Sequence, residues 1–180
     1  MKRPLILNLD DNEMSRYLRS QYLRTANFDV LEAQTGAQTL EIAFREQPDL
    51  VLLDVNLPDA HGTDLCRLLK TEPRTQGTMV LQISASAIAI ADAISGLEGG
   101  ADGYLIEPVE PLLLIAHIRS LLRLRESELA TRRLNESLQQ FAYMASHDLR
   151  EPLRTVLVYS DLLQQDLNGN LSDPASKHSR

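Results

Sequence analysis

Oxygen-bearing side chains close four separate apolar runs of this sequence. LILNL (residues 5–9) is followed by Asp10 and Asp11, LVLL by Asp54, VLQI by Ser84, and YLI by Glu107. One aspartate after a strand is ordinarily a helix cap or turn residue, but four runs ending alike weaken that reading. Carboxylates with no cysteine or histidine beside them favour a hard cation, and one or two carboxylates plus waters suit Mg²⁺. A carboxylate can also attack a phosphoryl group when a cation neutralises the incoming charge. The chemistry these residues could do is therefore cation binding and phosphoryl transfer.

Such residues work only if the chain brings them to one edge. The apolar runs LILNL, FDVLEA, LVLLDV, TMVLQIS and GYLIE alternate with EMSRYLRSQYLRTA, GAQTLEIAFREQ, GTDLCRLLKTE and AIADAISGLEGG, each long enough for a crossover helix. This is a βα pattern repeated five times. Continuously apolar strands are buried on both faces, which predicts an α/β fold with a parallel sheet between helices. Open sheets of that kind hold their ligands at the strands' carboxyl ends.

The bulk composition agrees. With 180 residues, 43% of them apolar, the chain can bury one core and still have an appendage. A net charge of −7 argues against a nucleic-acid surface. The single cysteine, Cys66, excludes an intramolecular disulfide framework and fits a reducing compartment. No apolar run approaches the ~18 residues of a membrane span. The expectation is a cytoplasmic protein with neither nucleic-acid nor membrane partners.

Residues 1–120 resemble a response-regulator receiver domain, through the DD pair at 10 and 11, LLDVNLPDAHG at 51–62, IS at 83–84 and ADGYLIEP at 101–108. The resemblance implies a doubly wound, flavodoxin-like sheet of five parallel strands in the order 2-1-3-4-5. It implies that Asp54 accepts the phosphoryl group, and that Asp10, Asp11, Asp54 and the Asn56 backbone hold Mg²⁺. Ser84 would hydrogen-bond a phosphoryl oxygen, and Tyr104 would change rotamer with it. The family has lysine before the proline of the last motif. Glu107 stands there in this chain, a substituted active-site position whose negative charge should repel the phosphoryl group and strengthen cation binding. The Glu107–Pro108 bond is a candidate cis peptide by the same resemblance.

After Pro111 the character changes. From Leu112 to Leu167 there is no glycine and one proline, Pro152, which reads as one long helix leaving the last receiver helix. Ile118, Leu122 and Leu129, then Leu134, Leu138, Phe141 and Ala145, form a heptad seam with a stutter. Arg119, Arg123, Arg125, Arg132 and Arg133, interleaved with Glu126, Glu128 and Glu136, read as a solvated face. Helical phase sets His147 opposite Leu138, Ala145, Leu149 and Val156, hence exposed. Asp148 adjoins it, Glu151 follows one turn on, and Pro152 predicts a kink beside it. An imidazole held near a carboxylate can act as a nucleophile.

FAYMASHDLREPL, residues 141–153, resembles the phosphoacceptor motif of a histidine-kinase dimerisation domain. The resemblance implies that His147 is phosphorylated, with Asp148 as the assisting base. Many family members carry threonine or asparagine where Glu151 stands, which bears on phosphatase activity. The expected organisation is a receiver at 1–120, a coiled-coil connector at 121–137, the first helix of the dimerisation domain at 138–171 and the start of a second helix or tail at 172–180. No segment offers the glycine-rich nucleotide lid of an ATP-binding kinase domain. The chain thus reads as the amino-terminal part of a hybrid sensor kinase, homodimeric through its last helix, with a histidine kinase or phosphotransfer protein as partner. Two other readings stay open: a degenerate receiver that dimerises or binds partners without phosphorylation, and a Mg²⁺-dependent phosphohydrolase.

Overall fold

Five parallel strands form one sheet in the order β2-β1-β3-β4-β5. They are β1 (Leu5–Leu9), β2 (Asp29–Ala33), β3 (Leu50–Asp54), β4 (Met79–Ser84) and β5 (Gly103–Ile106). The helices are α1 (Glu13–Thr25), α2 (Gly36–Glu46), α3 (Gly62–Thr71) and α4 (Pro111–Asn170). The computed structural model describes residues 3–84 and 99–170, except for the side chains of 145, 148, 149, 151, 152, 155 and 165–170. The expected fourth crossover helix and the tail at 172–180 fall almost wholly outside the described residues.

The central strands are nearly all buried while the edge strands β2 and β5 are not, as the apolar runs require. Alternation of side chains gives the sheet two cores. On one face Ile6, Leu52, Leu81 and Leu105 pack with Leu23 of α1 and with Leu114 and Ile118 of α4. On the other, Leu7, Val51, Leu53 and Val80 pack with Ala43 of α2 and with Leu65 and Leu69 of α3. Each fully buried leucine or isoleucine contributes roughly 1.5–3 kcal/mol. The register pairs Asp54 with Ile83 and Ser84 with Ile106, so the carboxyl ends of β3, β4 and β5 finish level.

α4 starts at Pro111, where a missing N–H does no harm, and stays helical through Pro152. The chain divides into two units, Met1–Glu128 and Leu129–Arg180. In the first, the opening of the anticipated seam is spent on the receiver core: Ile118 is fully buried and Leu122 packs against the same cluster. The solvated reading of Arg125 is also corrected, because it ion-pairs with Asp49 and donates to the Gly77 carbonyl at 2.8 Å. In the second unit Leu134, Leu138 and Phe141 are exposed, Arg132 pairs with Glu136 at 3.4 Å, and His147 is exposed as its helical phase predicts.

Candidate active site

The turn after β1 is built by its own side chains. Asp10 Oδ1 accepts the Asn12 N–H at 2.8 Å, and Asn12 Oδ1 accepts the Ser15 N–H at 3.0 Å as the N-cap of α1. Donors that a helix start leaves unpaired are thereby satisfied. Asp10 is buried and Asp11 exposed.

After β3 the chain folds back in the same way. Asp54 Oδ1 accepts the Asn56 N–H at 2.9 Å, which fixes the carboxylate plane, and the Gly62 N–H donates to the Val55 carbonyl at 3.0 Å. A Cβ at position 62 would lie 2.7 Å from the Val55 Cα, so the close approach requires glycine.

These two turns bring one oxygen each from Asp10, Asp11 and Asp54 within 4.8 Å of one another. An all-carboxylate donor set, with one member buried, fits a hard divalent cation such as Mg²⁺. Burial raises the Asp54 carboxyl above its ordinary value, with Asp10 and Glu107 pushing the same way and the Asn56 N–H and Arg19 opposing. Asp10 is raised as well, by burial first, with Arg19 and the Asn12 N–H working against it.

Sequence reasoning missed the arginines of α1. The helix presents Met14, Tyr17 and Leu18 to solvent at 66%, 54% and 43% exposure, while Arg16 and Arg19 are only 6% and 7% exposed. Amphipathic patterning orients such a helix the opposite way. Polar partners inside the site hold it as it is. Arg16 Nη1 donates to the Asp10 carbonyl at 2.8 Å, and buried Asn8 donates to the Arg16 carbonyl and Ser20 Oγ at 3.0 Å each. Arg19 Nη1 lies 2.9 Å from Asp10 Oδ2, and its Nη2 donates to Glu107 Oε1 at 2.5 Å. The available signal was Glu107 itself, since a carboxylate at the site's edge calls for a cation to face it.

Glu107 thus lies beside the carboxylate cluster, facing the guanidinium that also meets Asp10. Its N–H donates to the Ser84 carbonyl at 2.9 Å, and the bond to Pro108 is cis, as the resemblance implied. Ser84 is fully buried at the end of β4. Tyr104 is half-buried, and its hydroxyl has no hydrogen-bond partner among the described residues. Gln82, its cross-strand neighbour, is buried with its amide equally unmatched there. The side chains of Asp148 and Glu151, and the packing of Pro152, lie outside what is described.

A model of the response regulator receiver domain matches residues 6–119. The DNA-binding response regulator MtrA of Mycolicibacterium smegmatis is 36% identical over 126 residues, which are 70% of this chain and 54% of that protein. The response regulator PleD of Caulobacter vibrioides is 37% identical over 136 residues, 72% of this chain and 30% of PleD. The chain thus spans about half or less of these relatives. Among solved structures, a CheY-like receiver domain protein of Methanospirillum hungatei JF-1 superposes with a TM-score of 0.66 at 28% identity, covering 71% of this chain and 99% of that one. The receiver domain of a signal transduction histidine kinase from Syntrophus aciditrophicus gives a TM-score of 0.62 at 25% identity, covering 67% of this chain and 90% of that one. With a matched core of parallel strands and a carboxylate cluster at their ends, this chain belongs to the response regulator receiver domain family of two-component phosphorelay signalling.

Proposed function

We propose that Asp54 accepts a phosphoryl group from a phosphorylated histidine of a kinase or phosphotransfer protein. The supporting observation is the convergence of Asp10, Asp11 and Asp54 within 4.8 Å at the carboxyl edge of the sheet. An Asp54 oxygen bonds to phosphorus while the phosphorus–nitrogen bond of the donor breaks, and the imidazole leaves with that electron pair. Asp10, Asp11, Asp54 and the Asn56 backbone would hold Mg²⁺, which when bound neutralises charge on the phosphoryl oxygens. Ser84 would hydrogen-bond one of those oxygens and Tyr104 would reorient with it. Labelled acyl phosphate or phosphohistidine protein should mark wild type but not Asp54→Asn; label retained by Asp54→Asn refutes the assignment.

In the same reading, residues 121–137 connect the receiver to the first helix of a histidine-kinase dimerisation domain, 138–171, within a hybrid sensor kinase. The unbroken helicity of α4 and the exposure of Leu134, Leu138, Phe141 and His147 support it. His147 is then a second phosphoacceptor with Asp148 as its base, and the exposed apolar residues pair two copies of the chain. Light scattering should find a homodimer; a monomer at high concentration counts against it. With ATP and a kinase catalytic domain supplied in trans, label should appear on His147 and vanish in His147→Ala.

A further inference from the structure

The site keeps a positive charge at its rim, delivered from another element. Where the receiver resemblance places a lysine, β5 ends in Glu107, and the Arg19 guanidinium comes across from α1 to meet it. We propose that Arg19 is the cation that engages the phosphoryl group on Asp54, and that Glu107 is the positioning residue that holds it until phosphorylation. This rests on Asp54 being the acceptor.

Three observations carry the assignment. Arg19 is buried between two carboxylates from different strand ends, Asp10 after β1 and Glu107 after β5, so it is fixed at the edge the phosphoryl group must reach. A buried arginine is tolerated only when its charge is matched, so the guanidinium is committed to this place. Its approach to Asp10 is an ion pair without hydrogen-bond alignment: Arg19 Nη1 and Asp10 Oδ2 are both buried and neither has a hydrogen-bond partner among the described residues. Both N–H groups of Nη1 are thus unspent beside the carboxylate cluster. Finally, Glu107 is one-third exposed and lines a cleft of about 440 Å³ with Tyr22, Pro108 and Val109, which gives its carboxylate water to turn to when Arg19 lets go.

The transfer itself is unchanged: an Asp54 oxygen gains phosphorus and the donor leaves with the electron pair of the broken bond. The exchange of partners is what Arg19 adds. The guanidinium trades a carboxylate of charge −1 for a phosphoryl group carrying more charge and more acceptor oxygens, a favourable trade for a planar donor fork. Until then, Arg19 also competes with a divalent cation for Asp10 Oδ2.

The test compares Glu107→Gln with the double variant Arg19→Gln/Glu107→Gln, whose neutral side chains can still hydrogen-bond each other, while the Asp10 carboxylate that loses its ion pair is met by the added Mg²⁺. Both are incubated with labelled acetyl phosphate and Mg²⁺, and each is titrated with Mg²⁺ alone. Glu107→Gln should label at least as fast as wild type. The double variant should label about a hundredfold slower while binding Mg²⁺ at least as tightly. Equal labelling of the two variants overturns the role of Arg19, as does slowing matched by an equal loss of Mg²⁺ affinity. Restored labelling in Arg19→Leu/Glu107→Lys, which returns the cation to β5, supports it. If wild type itself takes no label, the acceptor reading of Asp54 fails, and this role falls with it.

Discussion

The loop after β3 is tied to α2 through Asp59, whose Oδ1 accepts the Gly36 N–H at 2.9 Å while its Oδ2 accepts the Ala37 N–H at 3.1 Å. The same loop carries Asn56, the partner of Asp54, so this anchor steadies Asp54 from a distance. Those two N–H bonds hold the Asp59 carboxyl below its ordinary value. Its stabilisation is therefore present above the unfolded carboxylate pKa of 3.8 and is lost as pH falls through the lower folded value. Asp59→Asn should melt below wild type at pH 7, with the gap closing on acidification below about pH 4; a gap that does not change with pH refutes the anchor.

Asp54 has the opposite sign. Burial, with Asp10 and Glu107 nearby, raises its folded-state carboxyl, so the folded chain loses stability relative to the unfolded one as pH rises above 3.8. In chelator at pH 7, Asp54→Asn should melt a few degrees above wild type, and the difference should shrink toward pH 4 and on addition of Mg²⁺. An equal or lower melting temperature at pH 7 shows that the Asp54 carboxylate is not held at a cost to the fold.

Cys66 offers a probe of the α3 face. Burial pushes its thiol up to about 11, with Asp102 adding to the rise and Lys70 and Arg67 reducing it. A thiol reagent at pH 8 should modify it only at the rate at which the fold opens, and within seconds in denaturant. The raised value also predicts stability that is intact below the unfolded thiol pKa of 9.0 and declines between there and about 11. Fast native modification at pH 8 is the contrary result.

Gly62→Ala places a methyl 2.7 Å from the Val55 backbone and 3.0 Å from the Asp54 carbonyl. Forcing extra volume into a packed site costs about 1–3 kcal/mol, which a urea midpoint will show. Because the clash reaches the backbone of Asp54, the proposed acceptor, labelling of Asp54 should slow in the same variant. Unchanged urea stability and unchanged labelling would show that the loop yields freely.

The sheet was legible because its signals are local: each of the five apolar runs became a strand to within one residue, and the acids at their ends fell on one edge. α1 was legible as a helix but not in its orientation. Its apolar residues suggest one buried face, and Asp10, Glu107 and Glu32 recruit Arg16 and Arg19 to the other, a preference that arises only once distant strands are side by side. Arg125 hides in the same way: on the helix it looks solvated, and only the fold brings Asp49 and Gly77 to it. Ile118 and Leu122 carry a helical stripe whose partner the sequence cannot name, and the receiver core takes them before any second helix could.

The inverted α1 makes the helix an exchange reporter. Leu23 is its one large apolar side chain that is fully buried; otherwise Arg16, Arg19 and Ser20 fasten it through hydrogen bonds and charge. Segments held that way open at a free energy set by their ionic partners rather than by oily surface, and so respond to salt and to whatever claims those partners. When a cation or phosphoryl group draws Asp10 or Arg19 away, amides along Glu13–Thr25 should exchange faster while β3 and β4 stay protected. Deuterium uptake in this one helix would then read the state of a site that lies on the strand ends beside it.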